Sequence, residues 1–112
     1  MDILSQKQTT ELETKLGKIT VETPSVSKKL EIERRRSVYA GGLTVMSQQG
    51  AELANMFATL DIVMTKSPLT RDKNADAWNY DEIYDEDVIK DAYDKAVEWL
   101  NSFRKGVSSK QA

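Results

Sequence analysis

The chain contains no cysteine and no histidine. Without thiols there is no disulfide, no thiolate nucleophile and no sulfur ligand for a metal. Without imidazole, the usual general base and the commonest metal ligand are missing as well. Ser25, Ser47 and Ser67 therefore have no histidine in the chain to activate them, which removes the hydrolase triad. No apolar run approaches the roughly 20 residues of a membrane span. The opening MDILSQKQTT offers neither a basic region nor an apolar one, so no secretory signal is expected. These absences lead to the expectation of a soluble, cytoplasmic protein. Proline occurs only twice and glycine five times, so each is a usable punctuation mark.

What is present fits one folded domain. The 112 residues are 39% hydrophobic and 30% charged, with a net charge of −2. A chain of this size buries about two-thirds of its unfolded surface, enough for a core without staples. The charge is segregated. Residues 28–36 carry five basic and two acidic side chains, whereas residues 72–94 carry nine acidic ones against Lys73 and Lys90. Such asymmetry pairs within a fold or across subunits.

The central stretch is AELANMFATLDIVM, residues 51–64. Leu53, Met56, Phe57, Leu60, Val63 and Met64 recur at helical spacing and form one wide apolar face. Glu52, Asn55, Thr59 and Asp61 fall mostly on the other side. This helix is expected to organise a small core and to end by Lys66, with Ser67-Pro68 closing it. Leu43, Val45 and Met46 either start it early or form a short helix before Gly50.

Residues 1–9 read as a mobile terminus. In TELETKLGKITVE, Leu12 and Leu16 before Gly17, and Ile19 and Val21 after it, alternate with polar residues and predict a short β-hairpin turning at Gly17. Thr23 and Pro24 predict a helix start, with Thr23 as cap, running to about Tyr39. The apolar stripe of this helix is weak, so a half-solvated helix is expected. Gly41-Gly42 breaks it, and a turn is a better reading than a phosphate loop, because the fuller glycine pattern and the Lys-Ser/Thr pair are missing. A loop of about fifteen residues follows Ser67, with Trp78, Tyr80, Ile83 and Tyr84 as aromatic and apolar anchors. The last helix is expected over about Glu86 to Lys105, capped by Asp85 and stopped at Gly106. Its stripe of Ile89, Tyr93, Ala96, Leu100 and Phe103 would face the central helix, and Val88, Ala92 and Trp99 would reach a second surface.

The expected fold class is thus mainly α: a small helical domain of three to four helices with a short N-terminal β-hairpin. The expected organisation is a mobile segment 1–9, one helical domain 10–106 and a disordered tail 107–112.

No constellation predicts catalysis. Asp72, Asn74 and Asp76 copy the first three ligand positions of an EF-hand loop. The glycine position then holds Ala77, the bidentate glutamate position holds Ile83, and Glu82 comes one residue early. A polar loop is the better reading. The acids of residues 81–87 sit at spacings of a solvated helix start, where a general acid and base would need desolvation. Lys28, Lys29, Arg34, Arg35 and Arg36 could meet nucleic acid, but Glu31 and Glu33 interrupt them within an acidic chain. An ion-pairing or solvated face fits better. Trp99 with Phe103 and Tyr93 suits either core or a protein-binding face.

Taken in order, these features resemble the short tail assembly chaperones of long-tailed, non-contractile bacteriophages, the relatives of the lambda G protein. The segments TPSV, LEIE and SVYAGG and the closing WLNSFRK carry the likeness, which spans roughly residues 18–105. The resemblance implies a mainly helical, non-enzymatic factor acting in the host cytoplasm. It implies association with the tape measure protein and recruitment of tail tube subunits, followed by departure before the tail is complete. It also implies possible self-association and, in many members, a frameshifted longer form. Charge and aromatic content, rather than the resemblance, nominate Trp78, Tyr80, Tyr84 and Trp99 for client contact. They nominate Arg34, Arg35 and Arg36 against Asp85, Glu86 and Asp87 for self-association. No cofactor, metal, nucleic acid or membrane is expected as a partner. The competing expectations are a structural component retained in the particle and a generic helical adaptor.

Overall fold

The structure is a computed structural model that describes residues 7–41, 47–74 and 76–109, with the side chains of 103–109 outside that description. Strands β1 (Thr9–Thr14) and β2 (Gly17–Glu22) form the expected hairpin. Their register places Leu12 opposite Ile19 and Thr10 opposite Val21. The two-residue period turns Ile19 and Val21 to the same face, where both are fully buried. Gly17 closes the turn at a φ of +121°, a conformation L side chains avoid. A Cβ there would lie 2.9 Å from Cγ of Pro68.

Helix α1 (Val26–Ala40) starts one residue after Ser25, whose hydroxyl accepts from the Lys28 amide at 3.3 Å. Ser25, not Thr23, is the cap, because Thr23 closes the base of the hairpin. Its hydroxyl accepts from the Gln8 amide at 3.0 Å, and its own amide donates to the Gln8 carbonyl at 2.9 Å. Gln8 and Thr9 are therefore part of the fold, while residues 1–6 of the segment read as mobile lie outside the described residues. Gly41 ends α1 in the left-handed region at φ 65°, where its amide reaches the Val38 carbonyl. Gly42, Leu43, Val45 and Met46 lie outside the described residues.

Helix α2 (Gln48–Val63), capped by Ser47, is the central helix. It ends differently from the expectation. Met64 continues the helical apolar spacing, yet strand β3 (Met64–Lys66) begins there and pairs antiparallel with β2, Val21 opposite Met64. The run Ile62-Val63-Met64-Thr65 is rich in β-branched residues, and an open edge of β2 is there to receive it. The supposed loop also contains structure: strands β4 (Arg71–Asp72) and β5 (Ala77–Trp78) form a two-stranded ribbon, followed by a single 3-10 turn at Tyr80–Glu82. Helix α3 (Glu86–Ser109) runs past Gly106, which stops nothing, and includes the start of the presumed tail. Residues 110–112 lie outside the described residues.

The expectation of a mainly α domain is therefore corrected. The chain is a mixed α/β fold, in which a three-stranded sheet in the order β1-β2-β3 supports α2 and α3 and a second small ribbon adjoins it. Strand β3 pairs with a segment far away in sequence, and the β4–β5 ribbon is a two-residue pairing across a short turn; helical periodicity can report neither.

The core joins Ile19 and Val21 of the sheet to Leu60 and Val63 of α2, Trp78 of β5, and Ile89, Ala92 and Ala96 of α3. The two alanines let α3 approach closely. Helix α3 also lies along β1: the Lys15 amide donates to Asp91 at 2.8 Å, and Nζ of Lys95 donates to the Glu13 carbonyl at 3.0 Å. These contacts cover part of an edge that would otherwise be open for strand addition.

Candidate functional site

Helix α2 buries Asp61 as well as its apolar residues. The Asp61 side chain is 0% exposed, although the residue falls outside the apolar stripe in sequence. A bare carboxylate in that position would be costly, and four donors surround it. Nη1 of Arg35 donates at 3.2 Å and the Tyr39 hydroxyl at 2.5 Å to Oδ2. The Trp78 amide donates at 3.2 Å and the Tyr80 hydroxyl at 2.7 Å to Oδ1. One aspartate thus holds α1, β5 and the 3-10 turn against α2. Burial first, and then the Asp61 charge and hydrogen bond, push the Tyr80 hydroxyl far above its usual range. Tyr39 moves the same way, with burial the leading cause and its bond to Asp61 next. Both phenols are therefore neutral donors at neutral pH.

Aromatic packing reinforces the bracket. Phe57 stacks on Tyr80 with centroids 4.2 Å apart, and Tyr39 meets Phe57 edge-on at 5.5 Å. An open groove of about 600 Å³ adjoins these rings, lined by Tyr39, Phe57, Trp78 and Tyr80 together with Asp72 and Asp81. A second polar tie crosses the three helices: Nη1 of Arg36 donates to Asn55 at 3.5 Å, and Nδ2 of Asn55 donates to the Tyr93 hydroxyl at 2.8 Å.

These ties explain an unusual helix. No residue of α1 is fully buried. Its inner side carries Arg35, Arg36, Tyr39 and the partly buried Ile32. Its outer side carries Val26, Leu30 and Val38, exposed by 83%, 55% and 76%. An ordinary surface helix does the opposite. Arg35 and Arg36 turn inward because Asp61 and Asn55 wait there, and the valines and leucine are left facing water.

The nominated client residues divide. Trp78 is a core residue, with its indole N–H donating to the Met64 carbonyl at 2.8 Å and the Arg71 guanidinium 4.7 Å from its ring centroid. Tyr80 is engaged by Asp61 and Phe57, and Trp99 packs half-buried against the core. Tyr84 stands 97% exposed between the 3-10 turn and α3. Phe103 has its side chain outside the described residues.

The nominated charges also divide. Arg35 is enclosed by Asp61, Glu31 and Asp76. Arg34 pairs with Glu31 at 3.5 Å and keeps 67% of its side chain exposed, and Arg36 pairs with Glu33. Asp85 accepts from the Asp87 amide at 2.9 Å as the expected cap, and Glu86 accepts from Gln49 of α2 at 2.6 Å. Asp87 is exposed. The structure does not bring Arg34 or Arg36 against these acids within the chain.

Asp72, Asn74 and Asp76 build a turn. The Asn74 amide donates to Asp72 at 3.0 Å, and Asp76 takes a positive φ of 51°. Nη2 of Arg71 reaches the Asp76 carboxylate at 2.7 Å, and that hydrogen bond holds the carboxyl below its usual range. Among the described residues, no group of three or more acids stands where it could hold a metal ion, and no helix is long and apolar enough to cross a membrane.

The Asp61 bracket is the feature missed at the level of sequence. A lone aspartate between Leu60 and Ile62-Val63-Met64 was the available signal. Comparison with protein-family models, curated proteins and solved structures finds no match for this chain.

Proposed function

We propose that this chain is a non-enzymatic tail assembly chaperone of a long-tailed phage. In this reading it acts in the host cytoplasm, binds the tape measure protein and helps to recruit tail tube subunits. The observation that supports the reading is the inverted helix α1. A chaperone for a long amphipathic client needs apolar surface held open to water in a charged setting. Val26, Leu30 and Val38 supply that surface, with Glu31, Glu33 and Arg34 beside them. Each would gain roughly 1.5–3 kcal/mol on full burial, so leaving all three exposed favours a partner that covers them. Tyr84 is a second exposed anchor. Trp78 and Tyr80 serve behind this surface, by fixing the segments that present it.

The test is co-expression with a candidate tape measure protein, a very long helical chain from the same genome. The expected result is a client that stays soluble and co-purifies with this chain, with the chain absent from finished particles. A client equally insoluble with and without the chain overturns the proposal. A fixed copy number in purified particles would identify a retained structural component instead.

A further inference from the structure

The groove beside the Asp61 bracket combines aromatic walls with exposed acids. Tyr39, Phe57, Trp78 and Tyr80 supply the walls, and the volume is about 600 Å³. Sites of roughly 300–1,000 Å³ with apolar walls and a few polar groups are the usual form of a binding pocket. The charged residues that line this one are Asp72 of β4 and Asp81 of the 3-10 turn, and among the described residues no lysine or arginine lines it. Both acids are exposed. Asp72 accepts from the Asn74 amide at 3.0 Å. The Asp81 amide donates to Asn79 at 3.1 Å, but its carboxylate has no partner among the described residues.

The chain itself shows what suits such a setting. Arg71 lays its guanidinium 4.7 Å from the Trp78 ring centroid and reaches Asp76 at 2.7 Å. An aromatic ring and an aspartate together hold that guanidinium. Arg71 is thereby engaged, and so is Arg35, held by Asp61, Glu31 and Asp76. Lys73 stands exposed in the turn between β4 and β5 and does not line the groove. Residues 42–46 and residue 75 lie outside the described residues, and their sequences, GLTVM and A, carry no charge. Those segments cannot supply a cation to the two carboxylates.

We infer that the groove receives an arginine side chain presented by a partner polypeptide. The methylene stem lies along the aromatic walls, and the guanidinium meets Asp81 and Asp72. A guanidinium fits better than an ammonium, because its plane packs on rings and its fork of donors matches a carboxylate. The outer face of α1 plays no part, so the inference goes beyond the chaperone reading and does not rest on it.

The test uses the full chain, labelled with nitrogen-15, and short capped peptides of glycine and serine around one central residue. Titration with the arginine peptide should shift the amides of Ala77, Asn79 and Asp81 and the Trp78 indole N–H along one saturable curve. Citrulline in place of arginine keeps the shape and loses the charge, and should weaken binding about fivefold or more. Lysine in its place should weaken binding about threefold. Asp81→Asn should weaken the arginine peptide about threefold. That variant should fold normally, since the side chain is exposed and makes no contact to lose, and an otherwise unchanged spectrum checks this. Glu98→Gln removes an exposed acid outside the groove and should leave binding unchanged. Absence of shifts at these positions, equal binding of the citrulline or lysine peptide, or unchanged binding by Asp81→Asn overturns the inference. Equal weakening by Glu98→Gln would show a diffuse attraction to an acidic surface and overturn it as well. Free arginine binding as tightly as the peptide would make the groove a small-molecule site and overturn the assignment to a partner polypeptide.

Discussion

Asp61→Asn is the perturbation that most directly weighs the bracket. The substitution keeps shape and volume but removes the charge and replaces one acceptor oxygen with a donor. The remaining oxygen can keep the Trp78 amide and the Tyr80 hydroxyl. The new NH₂ group then faces Nη1 of Arg35 and the Tyr39 hydroxyl, both donors toward Oδ2 in the wild type. Tyr39 can rotate its hydroxyl to accept, but the guanidinium has no acceptor to offer. Hydrogen bonds to a charged group contribute about 1.5–3 kcal/mol each. Arg35 retains the Asp76 carbonyl at 2.8 Å and Glu31 at 3.4 Å, which offsets part of its loss. The net cost should be about 3 kcal/mol, a large share of the 5–15 kcal/mol typical of a whole domain. At roughly 4 °C per kcal/mol for a chain of this size, Tm should fall by about 12 °C. Urea unfolding followed by tryptophan fluorescence gives the free energy directly. Amide hydrogen exchange should show faster opening of α1 than of α2. Tyr39→Phe and Tyr80→Phe should each cost about 1 kcal/mol, and combining either with Asp61→Asn should be clearly non-additive. A loss under about 1 kcal/mol for Asp61→Asn, with unchanged exchange in α1, would refute the view that this carboxylate holds the helix.

Gly17→Ala should cost roughly 2 kcal/mol, because it forces a side chain into a positive φ and drives Cβ toward Pro68; calorimetry would show it as a Tm lower by about 8 °C. Alkaline pH should destabilise the fold through Tyr80. Its folded pKa is raised from 10.0, so its contribution is complete below pH 10. It is then lost as pH climbs, because the unfolded chain releases a proton that the folded one retains. The slope should approach about 1.4 kcal/mol per pH unit. Tyr80→Phe should flatten the decline in urea midpoint above pH 10, and an unaltered decline would count against the assignment.

The hairpin, the three α-helices and the Asp85 cap were legible in the sequence, because each depends on local spacing or on a turn residue. The inward stripe of α3 was legible for the same reason, with Ile89 and Ala96 where the period put them. Strands β3, β4 and β5 were not. Two or three residues carry no period of their own, and Met64 fits both a helix and a strand. Asp61 was hidden for a related reason. Helix α2 is covered on several sides, so its buried set of Ala54, Met56, Ala58, Thr59, Leu60, Asp61 and Val63 spreads around the axis, and polarity no longer reports which residues face out. The inverted α1 follows from it. Once an acid occupies the core side, Arg35 has a reason to face inward, and no helical wheel of α1 alone contains that information.

The direct passage from α2 into β3 bears on how the molecule assembles in time. Val21 and Met64 are partners in the sheet but far apart along the chain, whereas β1 and β2 meet across a turn of two residues. Closing the longer loop costs on the order of 2 kcal/mol more in chain entropy. No linker separates the last turn of α2 from the strand, so β3 cannot find its place until the helix has docked. The hairpin can form early and alone, but the completed sheet waits on the helical middle of the chain, and its third strand is a late event in folding.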